Sequence, residues 1–350
     1  MNKIENILAK KFNKKYCCLS GSGTTAIYLI LKSLKMQNKK ILFPAITCMA
    51  PVNAAIYAGY EPIFCDVDLH NFTMDVKSAR EIIDNNDVGI IVPTHIYGNR
   101  YDEKSFENLA KENNLFLLED AAQTYSLSYS NSSIMSFGHT KILECKNGGG
   151  AVFTNDKELL NKLREERKKI PNKPKNLSNM FEAYRNVYYS IIKEILNNKN
   201  YWGLMLELQK INFNTFVYNY SNDDEILNAL NNMDEILEER KLRKELYKKF
   251  LDKTLIIESL IDEEIAWRYT FLFKGNREEL LNRVRGENID ISSWYPVLYK
   301  MYSNQDGSKF KNANYIQDHV VNLWVEPKYS EKKIKDDIFV INDIMSGMKI

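Results

Sequence analysis

Three short stretches of the sequence combine residue types that do chemistry. The first is SGSGTTA at 20–26, set between an apolar segment and a helical one. A helix N-terminus offers unpaired N–H groups and the positive end of its dipole, so it suits phosphate. Gly21 and Gly23 permit close backbone approach, and Thr24 and Thr25 add hydroxyl donors. The stretch lacks the Lys-Ser/Thr pair that follows the last glycine of a P-loop. Its spacing fits a dinucleotide-binding GxGxxG/A, yet the next strand, Ile41 to Phe43, ends in Pro44 without the acid that grips a ribose. A plain glycine turn is the third reading.

The second stretch is Glu119-Asp120-Ala-Ala-Gln123, at the C-terminal end of an apolar run. Ligands of open α/β sheets gather at that edge. An ionised Asp120 there could hold a protonated ring nitrogen, and the Gln123 amide could donate to a phenolate oxygen. Asp120 is equally suited to cap a helix. The third stretch is SFGHTK at 136–141, followed by Gly148-Gly149-Gly150. Lys141 could form a Schiff base with an aldehyde if its surroundings lower its pKa. Any single lysine of this Lys-rich chain is more often a surface charge, and His139 alone is more often structural. Together, a phosphate cup, a strand-end acid and a lysine 21 residues further on are the parts needed for pyridoxal phosphate (PLP).

The elements that must position these groups alternate. Ile4, Ile7, Leu8 and Phe12 have helical spacing. Tyr16–Leu19, Ile41–Phe43, Glu61–Asp66, Val88–Pro93 and Leu115–Glu119 read as short strands, and Ala151–Thr154 as strand-like. Helices are expected over Ile27–Leu34, Cys48–Tyr57, Val76–Ile83 and Asp102–Asn113. This alternation predicts an α/β fold with a mainly parallel sheet covered on both faces. Further on, helices are expected over Glu158–Lys169, 176–212, Glu225–Leu251 and Glu278–Arg285, with one strand over Trp267–Lys274. We expect a large domain over 1–250, with a helical segment at 158–215, and a small α+β domain over 251–350.

Composition narrows the class. The chain has 350 residues, 44% of them hydrophobic and 27% charged, which excludes a mainly disordered chain. Lys+Arg 48 against Asp+Glu 46 leaves +2, without the basic excess of a nucleic-acid binder. The five cysteines form no CxxC pair or zinc spacing. No apolar run reaches the about 20 residues of a membrane span, and no secretory h-region is present. The expectation is a cytoplasmic protein with no nucleic-acid or membrane partner.

The motif series resembles the DegT/StrS family of PLP-dependent sugar aminotransferases, of the aspartate-aminotransferase-like fold. It is carried by SGSGTTA at 20–26, FPAITCMAPVNAAIYAGYEPIFCDVD at 43–68, PTHIYG at 93–98, LLEDAAQ at 117–123, SFGHTK at 136–141 and GGGAVFTND at 148–156. The resemblance implies PLP fold-type I, a three-layer domain with a smaller C-terminal one, and a homodimer with shared active sites. It implies that Lys141 binds the cofactor aldehyde and moves the proton, and that Asp120 holds the ring nitrogen. Gln123 would contact the ring oxygen. Gly23, Thr24, Thr25 and Ser136 would hold the phosphate, joined by Asn219 from the neighbouring subunit.

Cys48 occupies the position of the aromatic residue that stacks on the ring. Lys146-Asn147-Gly148-Gly149 replaces a Gly-Glu-Gly-Gly, and Ser221 an arginine. The implied activity is amino transfer from glutamate or glutamine to a nucleotide-linked keto sugar, in surface polysaccharide or glycoconjugate biosynthesis. A PLP-dependent sugar dehydratase, in which His replaces the lysine, and a catalytically degenerate binding or regulatory protein are the alternatives.

Overall fold

A computed structural model describes residues 2–197, 202–220, 222–257 and 265–348. Seven short strands form the main sheet: β1 (Tyr16–Ser20), β2 (Lys40–Pro44), β3 (Glu61–Cys65), β4 (Val88–Ile91), β5 (Phe116–Asp120), β6 (Ser132–Ser136) and β7 (Gly150–Thr154). Their order is β1-β7-β6-β5-β4-β2-β3. Strands β3, β2, β4, β5 and β6 run parallel, whereas β7 is antiparallel to both of its neighbours.

The strands are apolar on both faces because helices cover both. Successive side chains of a strand point to opposite sides. Thus Ile41 and Phe43 enter one core and Leu42 the other; Ile90 and Leu118 join the first, Ile91 and Leu117 the second. Helices Gly23–Leu34, Met49–Ala58 and Lys157–Arg167 close the first core. Helices Val76–Asp84 and Glu103–Glu112 close the second. Asp75, Asp102 and Asp156 start their helices by accepting N–H bonds from Ser78 (2.7 Å), Ser105 (3.0 Å) and Glu158 (2.7 Å).

A second, antiparallel sheet has the order β10-β11-β9-β8, from β8 (Ile256–Ile257), β9 (Tyr269–Phe273), β10 (Ile291–Ser292) and β11 (Val320–Leu323). Phe271 and Phe273 pack there with Leu280 and Val284 of helix Arg277–Gly286 and Ile338 and Ile341 of helix Glu331–Ser346. Leu246 and Tyr247 of helix Met233–Phe250 join this same core.

The structure differs from the sequence reading in several places, among them strands β8, β10 and β11 and helices Lys311–His319 and Glu331–Ser346, none of which was expected. The helix expected over Glu225–Leu251 is two, Asp223–Asn231 and Met233–Phe250, parted at Asn232, whose ψ of 11° leaves the helical region. The segment 176–212 forms two helices, Leu177–Asn197 and Trp202–Phe216, packed against each other. Strand β6 was not expected, because its serines dilute the apolar signal; the hydroxyl of Ser133 serves the buried Glu119 carboxylate at 2.5 Å. The departure at Ser221 lies outside the described residues.

Candidate active site

The three motif stretches meet at the end of the main sheet where β4, β5 and β6 finish. Asp120 closes β5. Its N–H donates to Pro93 O (3.0 Å) and its carbonyl accepts from His95 N (3.1 Å), which locks the β4 and β5 ends together. Its side chain is 2% exposed, and Oδ1 accepts from Ala122 N at 3.0 Å. Burial pushes the carboxyl pKa up, while the Ala122 N–H, Lys141 and His95 pull it back. Beneath it, Glu119 is fully buried and accepts from His95 Nε2 (2.7 Å), Ser128 N (2.7 Å), Ser130 Oγ (3.4 Å) and Ser133 Oγ.

Lys141 follows a turn in which Thr140 has φ 68°, held because the Thr140 N–H donates to Glu144 Oε2 at 2.9 Å. Burial lowers the Lys141 pKa; Cys48 and Asp120 oppose the fall and Arg268 adds to it. A neutral amine is the form that attacks an aldehyde. His139 does not share this pocket: its Nδ1 meets Glu144 Oε1 at 2.8 Å, with the side chain 69% exposed.

Gly23 begins its helix directly against Ser136. A Cβ on Gly23 would lie 2.8 Å from Ser136 Cβ and 3.0 Å from its Oγ, so only glycine lets the two sides close into a cradle. Thr24 is nearly buried, and its hydroxyl makes no hydrogen bond among the described residues. Thr25 is placed differently. Its hydroxyl donates to Phe216 O (2.9 Å) and accepts from Tyr218 N (3.1 Å), which ties the helix start to segment 216–218. Asn219 lies just beyond, hydrogen-bonded through its backbone to Pro171 (2.6 Å) and Lys173 (3.1 Å). With Arg167, Lys173 and Lys175 it lines a surface cavity of about 740 Å³. Within the one chain Asn219 is therefore not gathered with Asp120 and Lys141.

Cys48 sits at the N-cap of helix Met49–Ala58, and burial raises its thiol pKa. Tyr184, Tyr188, Tyr295 and Tyr302 lie close enough for charge on Cys48 to act on their phenols. The Tyr184 hydroxyl donates to Met49 Sδ at 3.1 Å, and the Tyr188 ring stacks on Trp294 at 6.0 Å. The aromatic helix Leu177–Asn197 thus supplies rings beside the position where the family resemblance led us to expect one.

Gln123 is fixed on both sides. Its Oε1 accepts from Tyr97 N (2.9 Å) and its Nε2 donates to Tyr295 OH (3.1 Å). Tyr97 OH in turn donates to Trp294 O (2.6 Å) and accepts from Tyr295 N (3.1 Å). Sequence reasoning missed Arg268 as a site residue, and it favoured a core or interface role for Tyr295 over a substrate contact in the stretch Trp294 to Tyr302. The one available signal for Arg268 was a charge at the start of an apolar strand.

This donor set suits a phosphorylated pyridine aldehyde. The Gly23–Ser136 cradle and the Thr24 hydroxyl are placed for a phosphate. The second oxygen of buried Asp120 has no hydrogen bond among the described residues, and Lys141 is an amine of lowered pKa. The sequence profile of the DegT/DnrJ/EryC1/StrS aminotransferase family matches residues 1–342. The chain belongs to this family. That family is one of aminotransferases, and its members work with pyridoxal 5′-phosphate.

Among the family's members, the chain is 32% identical to GDP-perosamine synthase of Escherichia coli O157:H7 over 167 residues, 45% of this chain and 46% of that protein. It thus spans about half the length of that relative, and similarly 48% of the UDP-2-acetamido-2-deoxy-3-oxo-D-glucuronate aminotransferase of Pseudomonas aeruginosa. It is 25% identical to UDP-4-amino-4,6-dideoxy-N-acetyl-beta-L-altrosamine transaminase of Campylobacter jejuni subsp. jejuni serotype O:23/36, covering 99% of this chain and 89% of that protein. Two solved DegT-like structures share the fold. Helicobacter pylori PseC, an aminotransferase involved in pseudoaminic acid biosynthesis, has a TM-score of 0.76 at 16% identity, over 98% of this chain and 90% of that one. DesV of S. venezuelae has 0.75 at 18%, over 97% and 87%.

Proposed function

We propose that the chain moves an amino group from an amino-acid donor, glutamate or glutamine, to a keto sugar carried on a nucleotide, for surface polysaccharide or glycoconjugate biosynthesis. The observation that supports this most is the meeting of Lys141, Asp120 and the Gly23–Ser136 cradle at one sheet edge. Relatives named as aminotransferases or synthases of GDP- and UDP-linked sugars support the acceptor class.

When bound, the cofactor supplies an aldehyde for the travelling nitrogen and a ring that withdraws electrons. The chain's own residues do the rest. Gly23, Thr24 and Ser136 hold the phosphate by N–H and hydroxyl donors. Asp120 keeps a proton on the ring nitrogen through a charge-assisted bond. The Gln123 amide, oriented by Tyr97 and Tyr295, would contact the ring oxygen. Lys141 would hold the cofactor aldehyde, and its amine would move the proton at the substrate carbon.

We further propose a homodimer in which Asn219, from the cavity-lining segment of one subunit, completes the phosphate site of the other. Thr25 then acts through segment 216–218, which it anchors, and Cys48 occupies the ring-face position beside the tyrosines. We propose a domain division at 250/251, at the end of helix Met233–Phe250, whose last turns already pack into the smaller core through Leu246 and Tyr247. Among the described residues no helix is long and apolar enough to cross a membrane, which accords with a cytoplasmic location. The exposed His139–Glu144 pair speaks against a dehydratase that uses histidine in place of lysine.

The test is the visible spectrum of the purified protein with added pyridoxal phosphate, beside Lys141→Ala, before and after borohydride. The wild type should gain a colour that reduction fixes as a label on Lys141 by mass spectrometry. Glutamate should bleach the unreduced protein, and a UDP- or GDP-linked keto sugar should then receive the nitrogen. No label on Lys141, or bleaching with no aminated sugar, would refute the respective parts of the reading.

A further inference from the structure

Beside Lys141 stands a buried cation to which the reading above gives no task. Arg268 is 4% exposed and precedes β9. The adjoining backbone carries it to the site. Trp267 N donates to Tyr97 O (3.0 Å), and its indole N–H to Thr140 O (2.7 Å). Arg240 links Trp267 O (3.0 Å) to Lys141 O (3.3 Å). The Arg268 guanidinium lies 4.3 Å from the Trp267 ring centre and 3.7 Å from that of Trp324. Aromatic rings hold an arginine in place without consuming its N–H donors.

Those donors are largely unspent. Nη1 donates to Ser292 Oγ at 3.2 Å. The facing carboxylate, Glu326, is 3.6 Å from Nε, longer than a hydrogen bond. Arg268 Nε and both Glu326 oxygens are buried without a hydrogen-bond partner. Buried ion pairs are ordinarily tied by hydrogen bonds, because desolvation is otherwise uncompensated. Here the two charges balance each other and leave their hydrogen-bonding capacity in reserve. Arg240, also buried, spends Nη1 and Nη2 on backbone carbonyls.

The proposed reaction, on which this inference rests, sets a recognition problem. An amino-acid donor carries a carboxylate beside the nitrogen that moves, whereas a sugar ring presents hydroxyls there. One site must offer a cation to the first and no net charge to the second. We infer that Arg268 receives the carboxylate of the amino donor, and that Glu326 neutralises Arg268 when a sugar ring occupies the site. The planar fork of Arg268 pairs with a carboxylate through two N–H bonds. Glu326 acts as a positioning residue, since it touches Arg268 rather than substrate.

The test uses the PLP-loaded full chain and glutarate, a dicarboxylate with no amine to transfer. Binding is read from the fluorescence of the indoles that flank Arg268, alongside KM values for glutamate and for the keto sugar. Arg268→Met should weaken glutarate and raise the glutamate KM by about tenfold or more, with the sugar KM changed less than about twofold. Arg268→Lys, which keeps the charge and loses the fork, should fall between, and it carries the test if the Met variant does not fold. Glu326→Gln should act oppositely on the two substrates, tightening glutarate and raising the sugar KM. Unchanged glutarate affinity in a folded Arg268 variant, or loss of glutarate binding in Glu326→Gln, overturns the inference. Arg268-dependent glutarate binding without amino transfer to any keto sugar would leave the inference standing and remove the acceptor assignment.

Discussion

Glu119→Gln isolates the polar knot under the cofactor site. Burial alone would raise the Glu119 pKa, but His95, Ser133 and the Ser128 N–H together hold it down from 4.5 to about 2. That depression corresponds to about 3 kcal/mol of folding stability. Because the folded-state pKa lies below the unfolded one, the contribution is complete above about pH 5. It is lost as pH falls through the interval from 4.5 to about 2. The glutamine retains an acceptor for His95 Nε2 and Ser128 N and turns an NH₂ toward Ser130 and Ser133. Those two hydroxyls can rotate to accept, so about 3 kcal/mol is a ceiling for the loss. For a chain of this size the ceiling is a melting-temperature drop of about 4 °C at pH 7. Melting curves of wild type and variant from pH 7 to pH 3 measure it. The gap should be widest at neutral pH and shrink toward pH 3, where the unfolded wild-type chain is already protonated at Glu119 while the folded one still holds the carboxylate. A gap that is absent at pH 7, or undiminished at pH 3, would refute the account.

Three other outcomes follow from the same geometry. Gly23→Ala should weaken cofactor binding about tenfold or more while circular dichroism stays native, since its Cβ would stand 2.8 Å from Ser136 Cβ; an unchanged dissociation constant by PLP titration contradicts the cradle. Asp120→Asn removes a negative charge that supports protonated Lys141, so Lys141 in the cofactor-free protein should react with acetic anhydride at lower pH than in wild type. Peptide mapping across a pH series reads this, and a shift upward sinks it. Tyr295→Phe leaves the Gln123 Nε2 without its 3.1 Å partner and should cost about 1–3 kcal/mol of stability. Thermal melting checks the loss, and a neutral result would show that Gln123 finds another acceptor.

Asp120, Gln123 and Lys141 were legible in the sequence because each follows a strand or turn whose local signal is strong. Gly23 was legible for the same reason, at a strand-to-helix turn. Tyr295 and Arg268 were not, because only long-range packing brings them in; Gln123 and Tyr295 are 172 positions apart. The parallel strands showed through as continuous apolar runs. Strand β6 did not, since Ser133 serves a buried carboxylate and Ser136 a cradle rather than a core. The role of Thr25 was hidden for a related reason: its hydroxyl type was visible, but the carbonyl of Phe216 that claims it was not. Asn232 broke a helix whose apolar periodicity ran through it unaltered.

The antiparallel strand β7 has a consequence for how the molecule comes to exist. Tyr16 pairs with Thr154 and Ser20 with Gly150, so the first strand synthesised waits for a partner more than a hundred residues later. At about 5–20 residues per second, translation takes roughly 7–28 s to deliver it. Until then β1 has no ladder, and its ties are local ones, such as Leu19 N donating to Glu5 Oε1 at 3.1 Å. Such distant pairing slows folding, because chain closure must precede the contacts that reward it. A nascent chain that has not reached Thr154 therefore cannot complete this register, on which the proposed phosphate cradle rests. On the proposed reading, cofactor binding then reports the closure of the sheet rather than guiding it.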